Sequence, residues 1–263
     1  VAIYTMMSPG SSPGVTTTAL AASYVSSGRT LLAECDPKGG NVLQGFLAGQ
    51  MDAVHGGLLE LVLALAHDPD PAQLWKYVIS LDQDAREWLL LPGIKDPHHA
   101  AQLDGAWDAV AGVLQAAGDS AIDAVVDVGQ IGRPDTPMQL IASSDLAVML
   151  LRPSLRQITE ARPRLEALGR HVGTSVPVAL CLIGDGDYTA KEISQALFGL
   201  PVISYIPYDR KSASVLSDGR RTRRSIRRAQ LMTGAAHLAT AMRLHLAAAS
   251  ERHAATAKAE VTA

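Results

Sequence analysis

The chain has 263 residues, of which 48% are hydrophobic, and its formal net charge is −3. This length fits one large α/β domain or two small ones, and the apolar fraction is enough for a sizeable core. The two cysteines, Cys35 and Cys181, lie inside apolar runs, which excludes a disulfide-stapled scaffold and indicates buried thiols in a reducing compartment. We therefore expect a cytoplasmic protein.

The apolar runs are too short for a membrane span. The longest, such as residues 58–66 and 146–151, fall short of the roughly 20 residues that cross a bilayer. The first residues also show neither the basic nor the apolar segment of a secretory signal. We expect no transmembrane helix and no signal peptide in the sequence shown.

Short apolar or β-branched runs predict the strands of a parallel sheet. Their apolar residues are continuous rather than alternating, which is typical of strands covered on both faces. The runs are residues 1–4, 30–33, 88–91, 124–128, 146–151, 178–183 and 202–206.

Segments compatible with helix alternate with these strands and predict a doubly wound, mostly parallel α/β sheet with helices on both faces. The segments are residues 16–27, 58–66, 100–117, 156–171, 191–197 and 225–249. We interpret residues 1–250 as a single domain. An insertion at about 67–87 would add an edge strand or a lid, and residues 251–263 would form a flexible tail.

After the first strand, small residues lead into an alanine-rich helix, and residues 8–18 read Ser-Pro-Gly-Ser-Ser-Pro-Gly-Val-Thr-Thr-Thr. In such a unit, backbone N–H groups and the helix N-terminus favour an anion, and a hydroxyl at the helix start, here Thr16, can complete a magnesium shell. Val15 stands where a P-loop has its lysine, and two prolines remove backbone donors. The segment alone therefore also fits a tight strand-to-helix turn.

Carboxylates follow two other predicted strands. Residues 34–39 read Glu-Cys-Asp-Pro-Lys-Gly, and residues 127–129 read Asp-Val-Gly. Open α/β sheets bind ligands at the carboxyl ends of their strands. Taken singly, the first segment also fits a β-turn and the second a plain strand end.

In this order the motifs resemble those of the ParA/MinD group of deviant P-loop ATPases, and the resemblance covers nearly the whole chain. Residues 34–39 are similar to the group's Asp-x-Asp-Pro-x-Gly, and Asp127 falls at the Walker B aspartate. Residues 144–154 resemble the strand and Pro-Ser turn that follow Walker B, and residues 206–209 resemble the Ile-Pro-x-Asp turn near the adenine. The group positions chromosomes, plasmids, division sites and secretion or pilus machines.

The resemblance implies a P-loop NTPase fold, a site for ATP and Mg²⁺, and a homodimer. Asp36 would orient the attacking water and is the catalytic candidate. Thr16, Glu34 and Asp127 would hold magnesium, partly through water. Nucleotide contacts would come from the loop, the helix start and the later turn: Gly10, Ser11, Ser12, Gly14, Val15, Thr16, Thr17, Pro207 and Asp209.

The chain departs from the group at both of its lysines. Val15 occupies the P-loop lysine position, and Gly10 occupies that of the signature lysine, which reaches across the dimer to the partner's phosphates. Lys38 or Arg152 could supply replacement charge. Because phosphoryl transfer asks mainly for positioning and charge neutralisation, the losses predict weak or absent hydrolysis.

Three functions remain open from the sequence. The first is a ParA/MinD-like positioning or partition protein with a degenerate ATP site. The second is a scaffold or adaptor of a pilus or secretion system that needs no nucleotide, and the third is an active ATPase with compensating charges.

Charge is segregated along the chain: residues 1–209 carry a net charge of −11, and residues 210–263 carry +8. The segment 210–228 fits either a site for a polyanion or a solvated helix face. Arginines without interleaved aromatics suit non-specific contacts with DNA phosphates. The predicted DNA contacts are Arg220, Arg221, Arg223, Arg224, Arg227 and Arg228, with the last two in the first turn of the final helix.

The final helix carries an apolar stripe formed by Leu231, Leu238, Met242 and Leu246. In MinD relatives a terminal amphipathic helix binds membrane. This helix is rich in alanine and lacks Trp and Phe, so we expect the stripe to pack on the domain or on a partner rather than on a membrane.

Overall fold

The computed structural model describes residues 2–10, 12–47, 56–82, 87–118, 120–220 and 226–261; for Ser250 and residues 252–261 it describes the backbone alone. The strands are β1 Ile3–Ser8, β2 Thr30–Glu34, β3 Ile79–Ser80, β4 Trp88–Leu91, β5 Asp123–Gln130, β6 Leu146–Leu151, β7 Val178–Ile183 and β8 Val202–Ile206. They form an eight-stranded sheet in the order β3-β4-β2-β5-β1-β6-β7-β8. Neighbouring strands are parallel except for β3, which runs antiparallel to β4 at one edge.

The helices are α1 Val15–Val25, α2 Leu58–His67, α3 Leu74–Tyr77, α4 Trp107–Gly118, α5 Met138–Ala142, α6 Leu155–Val172, α7 Ala190–Ala196, α8 Arg210–Ser217 and α9 Gln230–Val261. Short 3₁₀ turns span Pro71–Gln73, Pro97–Leu103 and Ile226–Arg228. None of the described helices is long and apolar enough to cross a membrane.

Two hydrophobic clusters lie on the two faces of the sheet. Because side chains alternate along a strand, Ile3 and Met7 of β1 join one cluster, and Tyr4 and Met6 join the other. Helices α2, α4 and α6 cover the first face, and α1 and α9 cover the second. The predicted doubly wound α/β fold is confirmed.

Several predicted elements coincide with the structure. The strands predicted at 88–91, 146–151, 178–183 and 202–206 have the observed bounds. The segment 67–87, for which an edge strand or a lid was predicted, contains the edge strand β3. Cys35 and Cys181 are buried and unbridged, as expected.

The stripe on the last helix packs inward, as expected. Leu231, Leu238 and Met242 are buried in the cluster of the second face, and Leu246 packs against it. The main contacts of α9 are with α1 and β8.

Other boundaries were wrong. The helix predicted at 100–117 begins only at Trp107. Residues 97–103 form a 3₁₀ turn, and Gly105 follows it with a φ of 74°, which a right-handed helix cannot contain. The last helix begins at Gln230 rather than 225, so Arg227 and Arg228 lie in the preceding 3₁₀ turn and not in a helical first turn. It also continues to Val261, into the segment that we expected to be a flexible tail.

Helix α8 was not predicted. Its sequence is rich in serine, which has only modest helix propensity. The helix begins because Asp209 caps it, with Oδ1 accepting from the backbone N–H of Ser212 at 3.1 Å and Oδ2 from the Ser212 hydroxyl at 2.6 Å.

Candidate functional site

The candidate site lies at the carboxyl ends of three neighbouring strands. β1 is central and pairs with β5, which in turn pairs with β2. The register places Glu34 opposite Asp127, and the loop after β1 leads into α1 between them. This topology, rather than closeness in sequence, brings the predicted residues to one edge of the sheet.

The loop before α1 presents the start of that helix without a side-chain cap. Gly14 is the N-cap residue, with a φ of 106°, and it provides no side-chain cap for the first N–H groups of α1. Unpaired N–H groups at a helix start favour an anion. A cleft of about 190 Å³ opens there, lined by Ser8, Ser12, Gly14, Val15, Thr16, Thr17, Asp36, Lys38, Gly129 and Gln130.

Thr16 and Asp127 form the pair that the magnesium hypothesis requires. The Thr16 side chain lies near enough to Asp127 for hydrogen bonding to lower the pKa of that carboxyl, and the backbone N–H of Gly129 donates to Asp127 Oδ1 at 2.8 Å. Burial raises the pKa of Asp127 to about 7, and the nearby carboxylates of Asp36 and Glu34 also raise it. A buried carboxylate of this kind is favoured by a neighbouring cation.

The donor set fits Mg²⁺ bound together with a phosphate. Magnesium is usually held by one or two carboxylates plus water and phosphate oxygens rather than by an all-protein cage. In the described part of the chain, no group of three or more His, Cys, Asp or Glu residues could hold a metal by itself. Thr16 and Asp127 would therefore hold the ion, and water and phosphate would complete its shell.

Asp36 faces the same cleft from the loop after β2. Its Oδ1 accepts from the backbone N–H of Lys38 at 2.9 Å, and burial raises the pKa of this carboxyl. The carboxylate lies against Gly129: a Cβ built there would be 2.0 Å from Asp36 Oδ2, so only glycine fits. The structure brings Asp36 to the start of α1, where the sequence analysis placed the catalytic candidate.

Glu34 contacts backbone rather than the cleft. Its Oε1 accepts from the N–H groups of Asn41 and Val42 at 2.7 and 3.0 Å, and Oε2 accepts from that of Gly93 at 3.3 Å. Burial raises the pKa of Glu34, and these hydrogen bonds oppose the shift. The observed role of Glu34 is to join two loops, and its role toward magnesium stays a prediction.

The two lysine positions contain no cation. Val15 is only 6% exposed and belongs to the core cluster under α1. At Gly10, a Cβ would lie 2.8 Å from Glu160 Oε2 and 3.5 Å from Gln130 Nε2. The space beside Gly10 is thus bordered by a carboxylate on α6 and an amide at the end of β5.

The turn after β8 makes contacts within the domain, and the nucleotide contacts expected of Pro207 and Asp209 stay predictions. Asp209 caps α8, and Pro207 packs close to Gly234 of α9, where a Cβ would be 3.1 Å from Pro207 Cδ. The exposed group of this turn is Tyr208, which is 61% exposed and has the Arg152 guanidinium 5.3 Å from its ring centroid. Tyr208 was not among the predicted site residues.

A second, larger cleft beside the same helix was also missed. It has a volume of about 480 Å³, and its walls come from α1, the loop after β2 and the end of α8. Its lining residues are Thr16, Thr17, Leu20, Asn41, Val42, Gln44, Gly45, Leu216, Ser217 and Asp218. Because α8 was not predicted, no sequence signal indicated this wall.

The basic segment is partly engaged with the domain. Arg227 Nε donates to the Tyr24 hydroxyl at 2.8 Å, and its guanidinium lies 5.1 Å from the Tyr24 ring centroid. Arg220 lies 4.0 Å from an Asp218 oxygen, and Arg228 is exposed. Arg221, Arg223 and Arg224 lie outside the described residues, as does Ser11 of the loop.

Solved structures share this architecture. A ParA family ATPase from Chlorobium tepidum aligns with a TM-score of 0.72 and 16% identity, covering 91% of this chain and 97% of that chain. The MinC:MinD cell division complex of Aquifex aeolicus gives 0.68 and 14%, covering 93% and 96%. A plasmid partition protein from Borrelia burgdorferi gives 0.65 and 13%, covering 92% and 97%. The chain has the ParA/MinD fold.

At these identities the similarity shows the fold alone. No family model and no curated protein sequence matches the chain. Within the ParA/MinD fold, the described candidates that meet at one cleft are Ser12, Gly14, Val15, Thr16, Thr17 and Asp36, with Asp127 beside Thr16. Gly10 borders that region, whereas Glu34, Pro207 and Asp209 make the structural contacts described above.

Replacing Glu34 by alanine should strongly destabilise the protein, because two buried N–H groups and one partly buried N–H group would lose their acceptor. We expect a loss of about 2–4 kcal/mol in the free energy of unfolding, measured by urea denaturation. Glu166→Ala, which removes an exposed carboxylate paired with Arg170, is the control and should cost about 0.5 kcal/mol or less. Equal losses in the two variants would contradict the role of Glu34 as a joint between loops.

Replacing Asp127 by asparagine should change how stability depends on pH. Between the pKa of an unfolded aspartate, about 4, and the folded value of about 7, the folded protein binds more protons at this site than the unfolded chain. The free energy of unfolding of the wild type therefore falls as pH rises through this window, by up to about 1.4 kcal/mol per pH unit.

The asparagine variant lacks this titration, so it should gain stability relative to the wild type as pH rises. Urea unfolding of both proteins in EDTA, from about pH 5 to about pH 8, measures the difference. Asp108→Asn removes an exposed carboxylate from α4 and corrects for the change in net charge. A constant difference between wild type and Asp127→Asn across the range would show that Asp127 is not the titrating group.

Proposed function

We propose that the chain is a ParA/MinD-like positioning or partition protein that binds ATP with Mg²⁺ at the start of α1 and hydrolyses it weakly or not at all. The observation that carries this proposal is the closeness of Thr16 to Asp127 at an uncapped helix start, with Asp36 facing the same cleft. Hydroxyl, carboxylate and free N–H groups are the donors that a magnesium-bound triphosphate requires.

The same geometry supports weak turnover. Transfer of a phosphoryl group needs charge neutralisation around the phosphates, and one P-loop lysine is replaced by a buried valine. At the other position, Gly10 has no side chain and adjoins the Glu160 carboxylate, which is paired with Arg156 at 3.1 Å. Nucleotide would then act mainly as a ligand that favours a homodimer able to engage a partner protein.

A nucleotide-independent scaffold is the second candidate. The surroundings of Val15 and Gly10 favour it. Val15 is buried, and the space beside Gly10 is already occupied, so the loop has no place for a lysine at either position. In this case the ParA/MinD fold would serve dimerisation and recognition of a pilus or secretion component. An active ATPase that uses compensating charges is the third candidate.

Calorimetric titration of nucleotide-stripped protein with ATP and Mg²⁺, combined with size measurement before and after, separates the first two candidates. We expect micromolar binding with dimer formation, because the helix start and the Thr16–Asp127 pair are in place. Asp127→Ala should abolish the magnesium dependence of binding, and Asp108→Ala should bind as the wild type does. No heat at millimolar ATP would favour the scaffold.

Phosphate release under the same conditions identifies the third candidate. Turnover of the order of 1 s⁻¹ or faster, the usual range for enzymes, together with its loss in Asp36→Ala, would overturn the proposed weak hydrolysis.

We also propose that the basic segment 210–228 binds DNA without sequence specificity. The support is its net positive charge, the exposure of Arg228, and the absence of aromatic residues between its arginines. Arg227 is assigned a different role, because its guanidinium is held on Tyr24 of α1.

Replacing Arg220, Arg221, Arg223 and Arg224 by glutamine should weaken binding to random-sequence DNA and reduce its salt dependence. Each lost contact with a duplex phosphate lowers the slope of log K against log salt by about 0.9, so four contacts account for about 3.6. Fluorescence anisotropy over a salt series measures both quantities, with Arg170→Gln on α6 as a control for charge removal elsewhere. An affinity for DNA that does not change with ionic strength would rule out binding through phosphate contacts.

A further inference from the structure

We propose that Lys38 supplies the positive charge that the phosphate loop lacks, and that Gln130 positions its ammonium group. The ligand chemistry is that of the β- and γ-phosphates of a nucleoside triphosphate. This inference rests on the proposed function and names a residue that binds at that same site. Neither lysine position of the loop can provide the charge, because Val15 and Gly10 carry none.

Among the described residues that line the cleft at the start of α1, Lys38 is the one that carries a positive charge. The other nine lining residues are neutral or, in the case of Asp36, negative. An anion that binds at the N-terminus of α1 would therefore find a lysine charge on the β2 side of the cleft. The charge of Arg133 also acts on Asp36, but Arg133 is paired with Asp135 at 2.7 Å. Lys38 is exposed, so its charge stays hydrated and available rather than being consumed by burial.

The backbone at Lys38 is held by its own turn. The carbonyl of Asp36 accepts from the N–H of Gly39 at 3.0 Å, and Asp36 Oδ1 accepts from the N–H of Lys38 at 2.9 Å. The next N–H, that of Gly40, donates to the carbonyl of Ile94 at 2.9 Å. These bonds fix the Cα of Lys38 relative to the sheet, so the side chain starts from a defined point beside the loop.

Gln130 directs the side chain across the cleft. Lys38 Nζ donates to Gln130 Oε1 at 3.1 Å, although the two residues are 92 positions apart. Gln130 ends β5, where it pairs with Ser8 at the end of β1. An ammonium group has three N–H donors, and a neutral amide acceptor does not neutralise its positive charge. The carboxylates of Asp36 and Asp135 lie near enough to interact with this charge, which acts to lower their pKa values. Gln130 is accordingly a positioning residue.

The amide of Gln130 also connects Lys38 with the position of the missing signature lysine. Its Nε2 would be 3.5 Å from a Cβ at Gly10, while its Oε1 accepts from Lys38. A side chain at position 10 would compete for this space. Glycine at position 10 thus leaves room for the Lys38–Gln130 hydrogen bond. In this arrangement the positive charge comes from the loop after β2 and not from the loop after β1.

Titrations of ATP·Mg²⁺ and of AMP into matched variants test this. Lys38→Met keeps the length of the side chain and removes its charge, Lys38→Arg keeps the charge, and Lys191→Met removes a charge from exposed α7. Because hydrogen bonds to charged groups are among the strong ones, we expect Lys38→Met to weaken ATP binding about tenfold or more and to leave AMP binding nearly unchanged. Lys38→Arg should retain most of the ATP affinity, and Lys191→Met all of it.

Gln130→Ala separates positioning from charge. We expect it to weaken ATP binding less than Lys38→Met does, and to add little in the double variant, because it acts only through Lys38. Melting temperatures of all variants confirm that each one folds. If Lys38→Met fails to fold, Lys38→Gln provides the same removal of charge.

The outcomes separate the inference from the proposed function. Wild-type binding with a selective loss in Lys38→Met supports both. Wild-type binding with full affinity in Lys38→Met, or an equal loss for AMP and ATP, overturns the role of Lys38 and leaves the ATP site standing. Absence of wild-type binding at millimolar ATP overturns the proposed function and this inference with it.

Discussion

The candidate site depends on the buried carboxylate of Glu34, which joins the loop after β2 to the loop after β4. One oxygen accepts two N–H groups of the first loop, and the other accepts one from the second. In a buried environment these bonds are strong and their loss is costly. The loop after β2 carries Asp36 and Lys38 and also forms a wall of the larger cleft. Because Glu34 holds this loop in place, it supports the shape of both clefts.

Three carboxylates, those of Glu34, Asp36 and Asp127, meet at the edge of the sheet near α1. Burial raises the pKa of each. The Asp36 carboxylate raises the pKa of the other two, and Asp135 raises that of Asp36. Such an arrangement is unfavourable for folding by itself, and it is a common property of sites that bind cations or carry out proton chemistry. Hydrogen bonding with Thr16 and with the N–H of Gly129 reduces the cost at Asp127 without removing it.

Strongly apolar segments were predictable from the sequence because their burial is local information. β4, β6 and β7 are continuous apolar runs bounded by polar or turn residues, and their ends matched. The ends of β8 also matched, although this strand contains Ser204 and is only partly buried. The closeness of Thr16, Asp36 and Asp127 was also predictable, since the carboxyl ends of parallel strands lie on the same side of a sheet. Helix α8 was not predictable, because its start depends on the capping bonds of Asp209. The contacts of Glu34 and Tyr208 were not predictable either, because they join loops that are far apart in sequence.

The backbone of the loop after β1 and the close approach of α6 limit which residues fit at position 10. Gly10 has a φ of 155°, which side chains rarely adopt, and the Glu160 carboxylate stands where its Cβ would be. Any side chain introduced at position 10 would have to adopt this strained backbone conformation and displace the end of the Glu160 side chain. The constraint at position 10 thus lies mainly in the backbone of the loop, since a glutamate side chain can move whereas the φ of residue 10 is set by the turn that carries it.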